Sequence, residues 1–181
     1  MNTNATMLIS FEADNTLRIS CKNASGTAIL LMYSTNTYTA DATWHHFAAS
    51  VDMTDTGKRH IYIDNSDDLG TVTTYTNEDI DWIESDFTVR ANPLASDKIN
   101  GCLSEIWLSN EYLDLSVAGN RAKLISGGKP VDLGSDGSTP TGTSPLVYLP
   151  NPYTSFETNA GTGGNFTVTG AFSACANSPS D

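Results

Sequence analysis

The sequence predicts an all-β fold, a two-sheet antiparallel jelly-roll sandwich with one short helix. Three observations predict it. Short segments repeatedly alternate apolar and polar residues, the period of a half-buried strand. Gly, Asn, Asp and Pro punctuate these segments at fairly even spacing, as in a sandwich or jelly roll. A single segment carries helical signals. The chain has 181 residues, which suits one domain over 1–181 and suffices for a sizeable core.

Taken in order, Asn15–Lys22 alternates Leu17, Ile19 and Cys21 with Arg18, Ser20 and Lys22, so one face is buried. Thr27–Ser34 holds the continuous apolar run AILLMY, which suits a strand covered on both faces. Thr43–Asp52 puts His45, Phe47, Ala49 and Val51 on one face and Trp44, His46, Ala48 and Ser50 on the other. Asp55-Thr56-Gly57 is a turn, and Arg59–Asp64 returns from it as the second arm of a hairpin. Asn65–Gly70 reads as a polar loop. Thr71–Thr76, Phe87–Ala91 and Asn100–Leu108 read as further strands. Ser116 is the expected N-cap of the helix, Ala118, Arg121, Ala122 and Leu124 follow, and Gly127-Gly128 with Pro130 stop it. Residues 126–145 form a Gly/Ser/Pro-rich surface loop, and 146–181 hold C-terminal strands, Leu146–Leu149 and Asn165–Phe172, with a tail.

Lys and Arg number 9 against 21 Asp and Glu, a net charge of −12, which repels phosphate backbones and argues against nucleic-acid binding. No apolar run is long enough to cross a bilayer. The N-terminus lacks the basic start and apolar core of a secretory leader. Cys21, Cys102 and Cys175 are odd in number and far apart, so reduced thiols are expected, with no disulfide framework or zinc spacing. The sequons at Asn4, Asn23 and Asn165 read as chance matches in a Thr- and Asn-rich chain.

Two blocks carry a resemblance. Thr43-Trp44-His45-His46-Phe47-Ala48 with Asp52 and Ile61-Tyr62-Ile63-Asp64 resembles the hairpin of laminin-G-like, pentraxin-like domains. Asn100-Gly101-Cys102-Leu103-Ser104-Glu105-Ile106-Trp107-Leu108 resembles the penultimate strand of that fold, within the concanavalin A-like lectin/glucanase superfamily. The match covers residues 7 to 110. Glu111–Ser116, Gly128–Gly134, Asp136-Gly137-Ser138 with Pro140, Gly142 and Pro145, and Gly161, Gly163, Gly164 and Phe166 form a tail pattern similar to laminin-G-like proteins of tailed-bacteriophage virions. The resemblance implies a virion component, a capsid decoration or a head or tail fibre. It also implies a strand or two before Met7. Either these strands are absent, or an upstream segment lies outside this sequence, or a neighbouring chain supplies them; a sheet edge is otherwise exposed.

Candidate chemistry is sparse. Asp79-Ile80-Asp81-Trp82-Ile83-Glu84 is close to the Glu-x-Asp-x-x-Glu box of retaining glucanases. Such enzymes need two carboxyl groups roughly 5–5.5 Å apart. Asp79 stands at the nucleophile position and is shorter than Glu by one carbon–carbon bond of about 1.5 Å, so the segment reads as a connector with Ile80 and Trp82 packed inward. His45 and His46 are adjacent and point to opposite faces of a strand, so they do not ligate one ion. Asp64, Asp67, Asp68, Asp132 and Asp136 lie in loops, where laminin-G-like domains hold Ca²⁺ on carboxylate and carbonyl oxygens. Trp44 and Trp107 are expected in the core, and Tyr112, Tyr148 and Tyr153 at the surface. The expectation is a non-catalytic virion protein that docks on capsid or tail subunits and on copies of itself, with host glycans as a further ligand class. The rival is a free-standing lectin, and an endoglucanase comes third.

Overall fold

The computed structural model describes residues 7–39, 43–82, 88–89, 101–176 and 178–179. The fold is all-β with almost no helix. In chain order the strands are β1 (Met7–Phe11), β2 (Thr16–Lys22), β3 (Ala28–Thr37), β4 (Phe47–Val51), β5 (Arg59–Ile63), β6 (Ser66–Asp67), β7 (Leu69–Tyr75), β8 (Ile106–Leu108), β9 (Ile125–Ser126), β10 (Lys129–Pro130) and β11 (Val147–Leu149). The helix α1 (Ala118–Arg121) lies between β8 and β9. The chain forms two compact units, one from 1–42, 51–61 and 67–101, the other from 43–50, 62–66 and 102–181.

The first unit holds a four-stranded antiparallel sheet in the order β1-β2-β3-β7. The alternation in β2 does what its period requires: Leu17, Ile19 and Cys21 are buried, and the residues between them are half-buried. Ile29, Leu30 and Met32 of β3 and Ile61 of β5 are also buried. Two hairpins build this sheet with the same local geometry. Asn15 (φ 65) and Gly26 (φ 77) each take the left-handed conformation just before the returning strand, and their N–H groups donate to Glu12 O and Asn23 O.

The second unit buries Tyr62, Leu113 and Leu115, with Ala48 and Leu124 packed beside them. β8 and β11 pair antiparallel, Trp107 facing Tyr148. β4, β5 and β6 form a three-stranded sheet in that order. Asp64 (φ 51) and Asn65 (φ 65) both adopt positive φ, the two-residue primed turn that matches strand twist. The polar loop expected from Asn65 therefore begins as a hairpin turn into β6.

Several expectations need correction. Gly127 (φ 61) and Gly128 (φ 77) do not stop the helix, which ends at Arg121. They form the turn of the small β9–β10 hairpin. The helix is a single turn, because Gly119 disfavours propagation and so short a helix gains little beyond its nucleation cost. Ser116 does not cap it. Its Oγ donates to Asp114 Oδ1 at 2.6 Å, and Val117 occupies the cap position. Regular β4 begins only at Phe47, and β8 covers only Ile106–Leu108 of the expected Asn100–Leu108 strand. Asn165–Phe172 is not a strand. Asn159–Gly163 carries the backbone bonding instead, through Ala160 N to Tyr148 O, Thr162 N to Pro145 O and Gly163 N to Leu146 O. Of the expected Phe87–Ala91 strand only Thr88 and Val89 are described, and they carry no strand; Asn100 lies outside the described residues.

The three cysteines are not all thiols. Cys102 and Cys175 form a disulfide within the second unit, and Cys21 is a buried thiol whose pKa burial raises to about 12.

Candidate functional site

The histidines and Asp64 come together at the start of β4. Asp64 Oδ2 lies 2.7 Å from His45 Nδ1, and its Oδ1 accepts the His46 N–H at 2.8 Å. The Asp64 N–H donates to His46 O, so the tight turn after β5 grips the residues that lead into β4. The His46 ring is half-buried, and its Nδ1 has no hydrogen-bond partner among the described residues. Burial lowers the His46 pKa, and the Asp64 charge opposes that shift.

Across a shallow crevice, Arg121 of α1 stacks on the Tyr62 ring at 4.4 Å and donates to Asn65 Oδ1 at 2.8 Å. His46, Ala48, Tyr62, Asn65, Arg121, Leu124 and Ile125 line this crevice, which has no room for a water molecule.

The loop aspartates do not gather around a cation. Among the described residues no group of three or more His, Cys, Asp or Glu is placed to hold a metal ion. Each of the five is committed locally. Asp64 holds the histidines. Asp67 Oδ1 accepts the Leu69 N–H, and Asp132 Oδ1 the Gly134 N–H. Asp136 accepts Ser138 N–H and Oγ on one oxygen and Ser144 Oγ on the other. The Ser144 and Ser138 hydroxyls and the Ser138 N–H hold its pKa down at about 2. Asp68 is 3% exposed and accepts Asn36 N, Asn36 Nδ2 and Tyr38 Oη at 3.1, 2.7 and 2.6 Å.

The signal for this pattern was present in the chain. Asp14, Asp52, Asp114 and Asp136 each precede a Ser or Thr by two residues, and Asp55 and Asp132 precede a Gly by two. An Asp side chain two residues before a backbone donor closes an Asx turn. Every one of these pairs is bonded in that way.

The segment resembling a glucanase box runs beside the β2–β3 hairpin. Asp81 N donates to Lys22 O, and Asn23 Nδ2 donates to Glu78. Ile80 is half-buried and Asp79 exposed. Trp82 is 38% exposed, so the inward packing expected of it does not hold. Glu84 lies outside the described residues. Trp44 and Trp107 are half-buried, and Trp107 Nε1 donates to Gly137 O. Tyr148 is buried rather than at the surface, on β11, all three of whose residues are buried. Tyr112 is half-buried, and Tyr153 is 48% exposed.

One acidic pair escaped the sequence reading. Burial raises the Glu105 pKa, and the charge of Asp132 adds to the effect. Burial and both carboxylates also raise the Tyr148 pKa. Glu105 and Asp132 lie on distant stretches of chain, so no spacing rule pairs them.

The most exposed apolar feature is β1. It is the edge strand of its sheet among the described residues. Ile9 and Phe11 stand opposite Ile19 and Leu17 and so share their face. Ile19 and Leu17 are 1% and 5% exposed, yet Ile9 and Phe11 are 43% and 55% exposed. Leu8, on the other face, is 40% exposed. The apolar face that the first unit buries thus continues to an uncovered rim.

No protein-family model, curated protein or solved structure matches this chain. What the protein does must be read from its own surfaces.

Proposed function

We propose that the protein is a non-catalytic docking module whose β1 edge and its apolar rim are covered by a partner. The exposure of Leu8, Ile9 and Phe11 on an edge strand carries this reading. Natural sheets usually block such edges with charge, proline or a covering segment. Met7–Phe11 holds neither a charged residue nor a proline, in a chain of net charge −12.

The finer fold we propose is the concanavalin A-like, laminin-G-like jelly roll, which the antiparallel sheets of four and three strands support. The resemblance to laminin-G-like proteins of tailed phages supports a place on a virion exterior, on a capsid, fibre or tail. The Cys102–Cys175 disulfide also favours service outside a reducing cytosol.

The test compares the wild type with Ile9→Lys/Phe11→Lys for self-association by light scattering and for binding to purified phage capsids and tails. The expected result is association by the wild type and its loss in the variant, with an unchanged circular-dichroism spectrum. Equal association by both proteins overturns the β1 assignment. Glycan binding with no association of either kind favours a lectin, and a chelator arm shows whether that lectin needs Ca²⁺. Release of reducing sugar from β-glucan, lost in Asp79→Ala, overturns the non-catalytic reading.

A further inference from the structure

We propose that the Cys102–Cys175 disulfide is a redox-operated latch that pins the C-terminal segment to the residues leading into β8. This does not rest on the β1 docking reading. The two cysteines are separated by 73 positions and lie 6.1 Å apart at Cα. Cys102 is an exposed residue and Cys175 a half-buried one, so the bond lies outside the buried core. Exposed disulfides are the reducible ones, whereas buried structural bridges resist exchange.

The segment that the bond holds buries none of its described residues. Asn159–Gly163 is fastened by three backbone hydrogen bonds to the Pro145–Tyr148 stretch. Asn159 adds its own side chain, accepting Tyr148 N–H and donating to Leu146 O. Beyond Gly163 the character changes. Described residues from 164 to 176 form no strand, and none of them is buried. Among the described residues, their contacts with the preceding chain include the Asn159 N–H to Asn165 Oδ1 bond at 3.0 Å, the Phe166 N–H to Glu157 O bond, the edge-to-face pair of Phe172 on Phe156 at 5.9 Å, and the disulfide. Ser178 Oγ lies 3.3 Å from Ser104 Oγ, the neighbourhood that Cys102 already clamps. A segment with few buried contacts opens at low free-energy cost once its covalent tie is cut.

The chemistry is thiol–disulfide exchange with a dithiol. One thiolate of the dithiol attacks Sγ of the exposed residue Cys102, the S–S bond breaks, and Cys175 leaves as a thiolate that takes a proton. The second thiolate of the dithiol then attacks the mixed disulfide and releases Cys102, which is protonated in turn. The protein gains two electrons and two protons, and the dithiol becomes a disulfide. In a reducing compartment the segment is released, and in an oxidising one it is locked. Cys21, buried and held in the thiol form, stays outside the exchange.

The test uses the full chain, air-oxidised or treated with dithiothreitol, followed by hydrogen exchange and by thiol titration in denaturant. The expected titration is one thiol before reduction and three after. Reduction should lower protection in peptides from 164–176 by about tenfold or more, while 145–163 changes less than about twofold. Cys175→Ser should reproduce the pattern without reductant. Should that variant fold poorly, the reduced wild type still decides. Three thiols in the untreated protein overturn the proposal. So does an unchanged tail after reduction. Parallel loss of protection in 145–163 also overturns it, because the bond would then be a staple for the whole unit.

Discussion

Asp68 offers the sharpest check of how the first unit is held together. Its carboxylate is 3% exposed and its donors are an amide N–H, an amide side chain and a phenol, with no cation among its hydrogen-bond partners. Its backbone is tied as well, its N–H to Ile61 O and its carbonyl to Thr35 N–H, so the side chain sits at a fixed point between β3 and β7. Asp68→Ala removes three charge-assisted bonds, each contributing about 1.5–3 kcal/mol. Two offsets reduce the sum. Asn36 is exposed, so water takes over both of its donors. The cost of burying the carboxylate, several kcal/mol on its own, also disappears. A net loss of about 3 kcal/mol results, which at a urea slope of about 2 kcal/mol/M moves the midpoint down by about 1.5 M. Asp68→Asn keeps the volume and one acceptor, and Tyr38 Oη can turn to accept from the new amide, so about half the loss is expected. Urea titration followed by circular dichroism measures both. A change below about 0.5 kcal/mol for Asp68→Ala, the size of an ordinary surface substitution, refutes the view that this carboxylate anchors the end of the sheet.

Other predictions follow from particular contacts. A Cβ at Gly70 would lie 2.8 Å from Ser34 O and 2.9 Å from Thr35 N, and one at Gly161 would lie 2.6 Å from Pro145 O. All three are backbone atoms with little freedom to yield, so Gly70→Ala and Gly161→Ala should each destabilise by about 2 kcal/mol in the same titration. The His46 pKa is lowered in the folded chain, so the unfolded chain binds the proton more readily. Stability should fall as pH drops through 6.5 toward the lowered value. His46→Gln should flatten that dependence when thermal midpoints are compared at pH 7.5 and 5.5. The Asp136 pKa is held at about 2 against an ordinary 3.8, so its contribution is present above 3.8 and lost as pH falls through 2. Ser144→Ala should raise the pKa of Asp136 measured by NMR titration; no movement would contradict the assigned bond.

Much of the first sheet was legible because alternation encodes burial directly. Leu17, Ile19 and Cys21 could face only one way once β2 was a strand, and β3 was long and apolar enough to read. The second unit was less legible. Its strands β8 to β11 are two or three residues long, too short to show a period. Gly127-Gly128 carries the same letters whether it ends a helix or turns a hairpin, and the choice fell to Ile125 and Pro130 pairing across it. The disulfide was invisible because two cysteines on distant stretches of chain become partners only after the intervening strands have packed. The rim on β1 was not legible as a rim. Which side chains it exposes depends on register with β2.

The acidic residues bear on function in a way that charge alone conceals. A balance of −12 with aspartates clustered in loops invites a cation. Here the commonest use of an aspartate is to accept an N–H or hydroxyl two residues ahead, in turns at Asp14, Asp52, Asp114 and Asp136. A carboxylate committed in this way has one oxygen engaged by its own turn and its pKa lowered, as at Asp14, Asp52 and Asp136. It keeps its negative charge at any physiological pH. Each such turn is thereby pinned by its own carboxylate. The Met7–Phe11 edge carries no charged side chain and exposes Leu8, Ile9 and Phe11, so a partner approaching β1 meets no like charge on the strand itself.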